Sequence, residues 1–324
     1  MDWSDKMKRT LSIRTLLFIC LTSACSNSAP TSEKAVGTTQ QVDVRQSQET
    51  EDLELRNQLQ QIASAAKGRV GVAAVVLETG ETVSTDPHDH FPMQSVYKLP
   101  IGMAVLQQVD AGKIKLEQKV RFTKSDFVGR GQHSPIRDKY PNGGELSLSD
   151  LLRFAISESD GTASDVLMKL AGGAGAVQAY LTELKINEMI VANTEKEIGQ
   201  DWQTQYRNWA SPEAAVALLR ALYERRGLSE TSQALLLRLL TESTPGPKRL
   251  KGLLPAGTAV AHKTGTSGTQ GGITAATNDI GIIGLLNGRH LAIAVFVTDS
   301  PVDEATREEV IAKVARTVWD RWSK

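Results

Sequence analysis

In the stretch FPMQSVYKLPIG, Phe91 to Gly102, a serine and a lysine stand one helical turn apart at the head of an otherwise apolar run. Positions i and i+3 of a helix share a face, so Lys98 brings its amine near the hydroxyl of Ser95. A free serine hydroxyl is a poor nucleophile and gains reactivity from an adjacent base. A helix start also leaves backbone N–H groups unpaired, and these favour negative charge developing beside them. The chemistry that fits is nucleophilic attack with a stabilised oxyanion. The pattern alone is weak, because SAAK (Ser64 to Lys67) repeats it. That copy falls at the end of a helix, where unpaired carbonyls oppose an anion, and reads as a solvated face.

Two further segments add to Ser95 and Lys98. SESDG sets Ser159 and Asp160 between two helical runs, and AHKTGTSG sets Lys263, Thr264, Gly265 and Thr266 in an extended, β-branched stretch. In this order the three elements resemble those of the class A serine β-lactamases, SxxK, SDN and K(T/S)G. The resemblance runs from Leu53 to Lys324, and HKTGTSG, TAATND and GPKRLKGLLPAGT are similar to the PER-like extended-spectrum subgroup.

That resemblance implies an acyl-enzyme route through a β-lactam substrate. Ser95 would attack the lactam carbonyl, with Lys98, or Glu195 through a water, taking its proton. The backbone N–H groups of Ser95 and Thr266 would form the oxyanion hole, a contribution of about 2.7–4 kcal/mol per donor. Ser159 would relay a proton to the leaving nitrogen. Lys263, Thr264 and Thr266, with Gly265 between them, would bind the substrate carboxylate.

Hydrolysis of the acyl-enzyme needs a water-activating carboxylate, and NTEKEIG stands where the family has its Ω-loop. The family pattern there is Glu, two residues, an apolar residue, then Asn. Glu195 and Ile198 match and Gly199 does not; Glu197 is the competing acid, but the residue three beyond it is Gln200. Gly199 lacks the amide that helps hold the deacylating water in most relatives. Gly161 lacks the asparagine amide of the second motif, which contacts substrate and the catalytic lysine. Both departures bear on positioning and predict an altered substrate profile. The strand after KTG carries no arginine, so Arg249 is the expected alternative partner for the substrate carboxylate. His133 falls where relatives place an aromatic gatekeeper, and Ser267 would line the pocket for bulky side chains.

Two alternatives share the first three motifs. One is a DD-peptidase acting on peptidoglycan stem peptides, which has no obligatory Ω-loop glutamate. The other is a non-hydrolytic β-lactam sensor domain, of a kind that usually adjoins transmembrane segments.

The elements that must hold these residues are legible from periodicity. Leu55, Leu59, Ile62 and Ala66 predict a helix ending at Gly68, and RVGVAAVVLETGETVST predicts two strands about a Thr79-Gly80 turn. NDIGIIGLLNGRHLAIAVFVTDS predicts a second hairpin with a type I′ turn at Asn287-Gly288, followed by a helix with Ile311, Val314, Ala315, Val318 and Trp322 on one face. Between these ends, residues 95–241 read as almost wholly helical, with Ser211 capping Pro212–Arg226. The expected fold class is α+β: an antiparallel sheet built from both chain termini and flanked by helices (51–90 and 242–324), beside an all-helical domain (91–241).

The chain has 324 residues, 37 basic and 37 acidic, so it has no net positive field for nucleic acid. Lys6, Lys8, Arg9 and Arg14 precede LLFICLTSA, the order of a secretory signal over residues 1–25, which implies a periplasmic or secreted protein. LTSAC resembles a lipoprotein box with Cys25 as a candidate lipid anchor to the outer membrane, and simple cleavage fits as well. Residues 26–50 read as a disordered spacer. With both cysteines in or beside the leader, the mature domain has no disulfide and no thiolate metal site. No cofactor and no metal are implied, His88 and His90 lacking a third ligand, and a monomer is expected.

Overall fold

The computed structural model describes residues 36–324, with side chains from residue 50 onward; the expected leader, with Cys20 and Cys25, lies outside the described residues. Helix α1 spans Val36–Ser64 and so extends into the stretch whose polar composition predicts a spacer. No glycine or proline interrupts residues 38–67, and Gln, Glu and Arg propagate a helix well. The residue that turns the chain is Lys67 (φ 48°), not Gly68. Gly68 has a different reason to be glycine: a Cβ there would lie 2.4 Å from the Thr298 carbonyl oxygen, where the first strand begins its pairing.

Strands β1 (Arg69–Val76) and β2 (Thr82–Thr85) form the expected hairpin about Gly80 (φ 79°). After β3 (Phe91–Pro92), a 3-10 turn at Gln94–Tyr97 runs straight into α2 (Lys98–Asp110). There follow β4 (Lys119–Phe122), α3 (Pro135–Lys139), β5 (Gly144–Ser147), α4 (Leu148–Ile156), α5 (Gly161–Ala171) and α6 (Ala174–Glu183). The middle of the chain continues with β6 (Met189–Ile190), α7 (Glu195–Ile198), β7 (Trp209–Ala210), α8 (Pro212–Tyr223) and α9 (Glu230–Thr241). The last elements are β8 (Val260–Thr266), β9 (Thr269–Gln270), β10 (Ile273–Gly284), β11 (His290–Ser300) and α10 (Glu304–Trp322).

The main sheet is antiparallel in the order β2-β1-β11-β10-β8, with β9 on β10. Its central strands are buried on both faces, and each face has its own core. Ala73 and Val75 point into a core shared with the helical part; Val72, Ala74 and Val76 point the other way, onto α1 and α10. Period-2 alternation places these side chains. As expected, the apolar stripe of α10, Ile311 to Trp322, lies against the sheet.

Three expectations need correction. The middle of the chain is not wholly helical: β3, β7 and β6 form a small sheet and β4 pairs with β5. Helix α8, assigned by sequence to the helical part, packs on β1 and β11 and also meets β10, burying its apolar face against the sheet. The hairpin before β11 is not type I′, since only Gly288 has positive φ (81°). The Gly288 N–H donates to the Leu285 carbonyl at 3.1 Å and the Leu285 N–H to that of Arg289 at 2.9 Å, which is a type I turn followed by a left-handed glycine. The Asn287 amide instead ties down the chain's end, donating to the carbonyls of Trp322 and Lys324. Among the described residues no helix is long and apolar enough to cross a membrane.

Candidate active site

A cavity of about 850 Å³ opens between the edge strand β8 and the helical part, and it is lined by Ser95, Lys98, Ser159, Glu195 and Thr266 among others. Residues distant in sequence meet because the 3-10 turn lies against β8. That approach depends on Gly265, where a Cβ would come within 2.2 Å of the Met93 carbonyl oxygen. Asn278 on β10 fastens the same contact, its amide donating to Pro92 O at 2.8 Å and Met93 O at 3.2 Å.

Ser159 sits between the two lysines. Its carbonyl accepts from Lys98 Nζ at 2.7 Å and its hydroxyl from Lys263 Nζ at 2.8 Å. Both contacts come from one residue because Ser159 adopts left-handed backbone, φ 60°, a strained conformation of the kind that clusters at functional sites. Gln94, directly before Ser95, is also left-handed at φ 47°. Burial, with the neighbouring Lys98 charge adding to it, holds the Lys263 amine well below its ordinary range. Such an amine exchanges protons more readily than a solvated lysine.

Glu195 is the first residue of α7, and its carboxylate converges on the nucleophile's helix. Oε2 lies 3.3 Å from Lys98 Nζ and accepts from the Tyr97 hydroxyl at 2.8 Å. Burial and the nearby Glu195 and Asp165 carboxylates push the Tyr97 phenol well above its usual range, so it stays a donor. The competing Glu197 is occupied elsewhere. It closes a capping box with Thr194, accepting from its N–H at 2.8 Å, which holds the Glu197 carboxyl low.

Other expected site residues fall in three groups. His133 is exposed and lines the cavity, Nε2 2.9 Å from the Glu158 carbonyl oxygen. Ser267 lines the cavity, but its hydroxyl is engaged with β10, accepting from Ala276 N–H at 2.9 Å. Thr264 and Gly199 also line the wall, while Lys263, Gly265, Gly161 and Arg249 stand behind it.

Arg249 and Gly161 depart from expectation. Arg249 is 3% exposed. Its Nη1 donates to the carbonyls of Gly265 (3.2 Å) and Asn278 (3.1 Å), and its Nε to Glu308 at 3.1 Å. It braces β8 from behind and does not face a substrate carboxylate, because Glu308 on α10 draws the guanidinium away from the cavity. Gly161 does not touch the cavity either. It lies under Glu195, where a Cβ would come within 2.7 Å of Glu195 Cγ.

Sequence reading passed over four residues. Tyr97 lies inside the SxxK motif. Asp165, on α5, accepts from the N–H groups of Glu195 (2.7 Å) and Lys196 (2.9 Å) and so caps α7. Burial outweighs those two donors and raises the Asp165 carboxyl to about 7. Gln94 donates to Gln205 Oε1 at 2.6 Å, linking the nucleophile's turn to the segment after α7. Gln132 bonds the Glu195 carbonyl. For the choice between the two acids a further signal was available: TEKE fits the S/T-x-x-E capping pattern, which marks Glu197 as structural.

In the repeated motif at the end of α1, Ser64 and Lys67 are exposed, with Ser64 donating to Gln61 O. His88 faces Glu188 at 3.0 Å and His90 stacks on Trp209. Among the described residues no group of three or more His, Cys, Asp or Glu is placed to hold a metal.

A serine and a buried lysine lining one cavity, a second lysine on an edge strand and a converging glutamate, all on an α+β frame, have the make-up of a serine hydrolase site. The sequence model of the beta-lactamase enzyme family matches residues 54–322, and the chain belongs to that family. It is 45% identical over 267 residues to the extended-spectrum beta-lactamase PER-1 of Pseudomonas aeruginosa, covering 82% of this chain and 86% of that one. It is 39% identical over 274 residues to beta-lactamase VEB-1 of the same organism, covering 84% and 91%. The crystal structure of a beta-lactamase from Chitinophaga pinensis superposes with a TM-score of 0.81 at 46% identity, over 83% of this chain and 99% of that chain.

Proposed function

We propose that this protein hydrolyses β-lactam antibiotics, penicillins and bulky cephalosporins among them, through an acyl-enzyme, and so confers resistance. The observation that carries the reading is the convergence of the Glu195 carboxylate on Lys98 and Tyr97 within the cavity that holds Ser95.

Ser95 Oγ gives its proton to Lys98, or to Glu195 through a water, and bonds to the lactam carbonyl carbon. The tetrahedral oxyanion is held by the Ser95 and Thr266 N–H groups. Collapse breaks the C–N bond, and the nitrogen takes, relayed through the Ser159 hydroxyl, the proton that Ser95 gave up; the Lys263 amine orients that hydroxyl by a hydrogen bond of 2.8 Å. Glu195 then takes a proton from water, the hydroxide attacks the ester carbonyl, and Ser95 leaves with a proton restored. Lys98 is held away from solvent by Ser159 O and Glu195, so its amine stays aimed into the site.

Action as a monomer is part of this proposal. The basic and apolar leader supports a periplasmic or secreted location, with Cys25 as a candidate outer-membrane lipid anchor.

Steady turnover of a chromogenic cephalosporin by purified protein is the expected result. A single stoichiometric burst would refute hydrolysis and favour a DD-peptidase or a sensor. Glu195→Ala should acylate and then stall, losing about 10²–10⁴ in turnover as a general base does; unchanged turnover would place the water-activating acid elsewhere.

A further inference from the structure

Gly199 offers no side chain at the point where an amide is expected to stand beside the water site, yet the space is not open. A Cβ built on Gly199 would lie 2.3 Å from Gln132 Oε1, 2.5 Å from its Cδ and 2.8 Å from its Nε2. The side-chain amide of Gln132 therefore fills the volume that a residue at 199 would use, entering from the loop before α3.

Its orientation is set at both ends. Oε1 accepts from Gly129 N–H at 3.0 Å, and Nε2 donates to the Glu195 carbonyl oxygen, which also accepts from Gly199 N–H at 3.1 Å. Opposite partners at its two atoms fix which is nitrogen and which is oxygen. The loop behind it is also pinned: Gln132 N–H donates to Gly129 O at 3.0 Å, and Arg137 Nη1 donates to Gly129 O at 2.6 Å and Gln132 O at 3.0 Å. Gln132, Gly199 and Glu195 all line the same cavity.

We infer that Gln132 is a positioning residue for deacylation, its amide replacing from a second loop the side chain that Gly199 lacks and holding α7 so that Glu195 faces the water. This rests on Glu195 being the water-activating acid. The consequence is exclusivity: a side chain at 199 and the Gln132 amide cannot occupy the site together.

The test compares wild type, Gln132→Ala, Gly199→Asn, the double variant and Glu195→Gln. Turnover of a chromogenic cephalosporin, the acyl-enzyme fraction by quenched mass spectrometry, and Tm are measured for each. Gln132→Ala should lower kcat about tenfold to a hundredfold, the scale of a small misplacement of catalytic geometry. KM should fall in parallel and acyl-enzyme should accumulate, the pattern of slowed deacylation. Gly199→Asn should be impaired at least as much, and the double variant should recover tenfold or more over either single variant. Losses that multiply in the double variant, or a Gln132→Ala protein with lowered Tm and no accumulation of acyl-enzyme, would overturn the inference and leave the hydrolytic reading standing. Unchanged turnover in Glu195→Gln would overturn both.

Discussion

Replacing Gly161 by alanine adds one methyl group beneath the Glu195 side chain, and the geometry sets the size of the effect. The new carbon would lie 2.7 Å from Glu195 Cγ and 3.2 Å from the His133 carbonyl oxygen. Carbon atoms settle at about 3.5–4.0 Å, so the glutamate must move by about 0.8 Å or more. It is not free to do so, being held at Oε2 by Tyr97 at 2.8 Å and Lys98 at 3.3 Å, and at its backbone by Asp165 and Gln132. A shift near 1 Å at a reacting group costs about a hundredfold in rate, so kcat for a chromogenic cephalosporin should fall by roughly ten- to a hundredfold. Folding should change little. Alanine gains about 0.5–1 kcal/mol over glycine in a helix, which partly offsets an overpacking cost of about 1–3 kcal/mol. Rapid-quench measurement should find acylation preserved and acyl-enzyme accumulating. Gly161→Asn, which restores the residue usual in relatives, should be worse than Gly161→Ala. Wild-type turnover in Gly161→Ala would refute the steric coupling of Gly161 to Glu195.

Two other perturbations bear on the framework. Arg249→Ala leaves Glu308 and the carbonyls of Gly265 and Asn278 without their buried partner, a loss of about 3–5 kcal/mol that a lowered Tm would report. Any rise in KM should accompany that destabilisation, and an unchanged Tm would refute the bracing role. For Asp165 the folded-state pKa, about 7, exceeds the ordinary 3.8. Between those values the folded protein holds more protons than the unfolded chain, so this residue's contribution to stability declines as pH rises from about 4 to about 7. Asp165→Asn removes that slope; the stability difference, wild type minus variant, should shrink from pH 5 to pH 8 in urea titrations, and a pH-invariant difference would refute the assignment.

That Ser95, Lys98, Ser159, Lys263 and Glu195 come together was legible because each stands in a short motif whose residue types serve one chemical purpose. The strands at the two chain ends were legible because alternation and turn residues are local signals. What stayed hidden depends on approach between distant segments. Nothing beside Gly199 in sequence says that Gln132 fills its place, and Gly161 reads as a loss until the Glu195 side chain is seen lying over it. Arg249 illustrates the same limit: its position in the chain was right for a cleft residue, but the direction of its guanidinium was decided by Glu308 on the last helix. The turn at Asn287-Gly288 failed at finer scale, where the dipeptide admits more than one backbone path and the C-terminal carbonyls claimed the asparagine.

The strand order has a consequence for the moment at which activity can begin. β1, near the start of the described chain, lies between β2 and β11, and β8, which lies against the turn that carries Ser95, joins the sheet only through β10. A growing polypeptide on the ribosome therefore carries its reactive serine long before it has the floor on which that serine is mounted. Pairings so far apart in sequence form late and slowly. Chains cut short before His290 should be chemically inert, whatever motifs they contain.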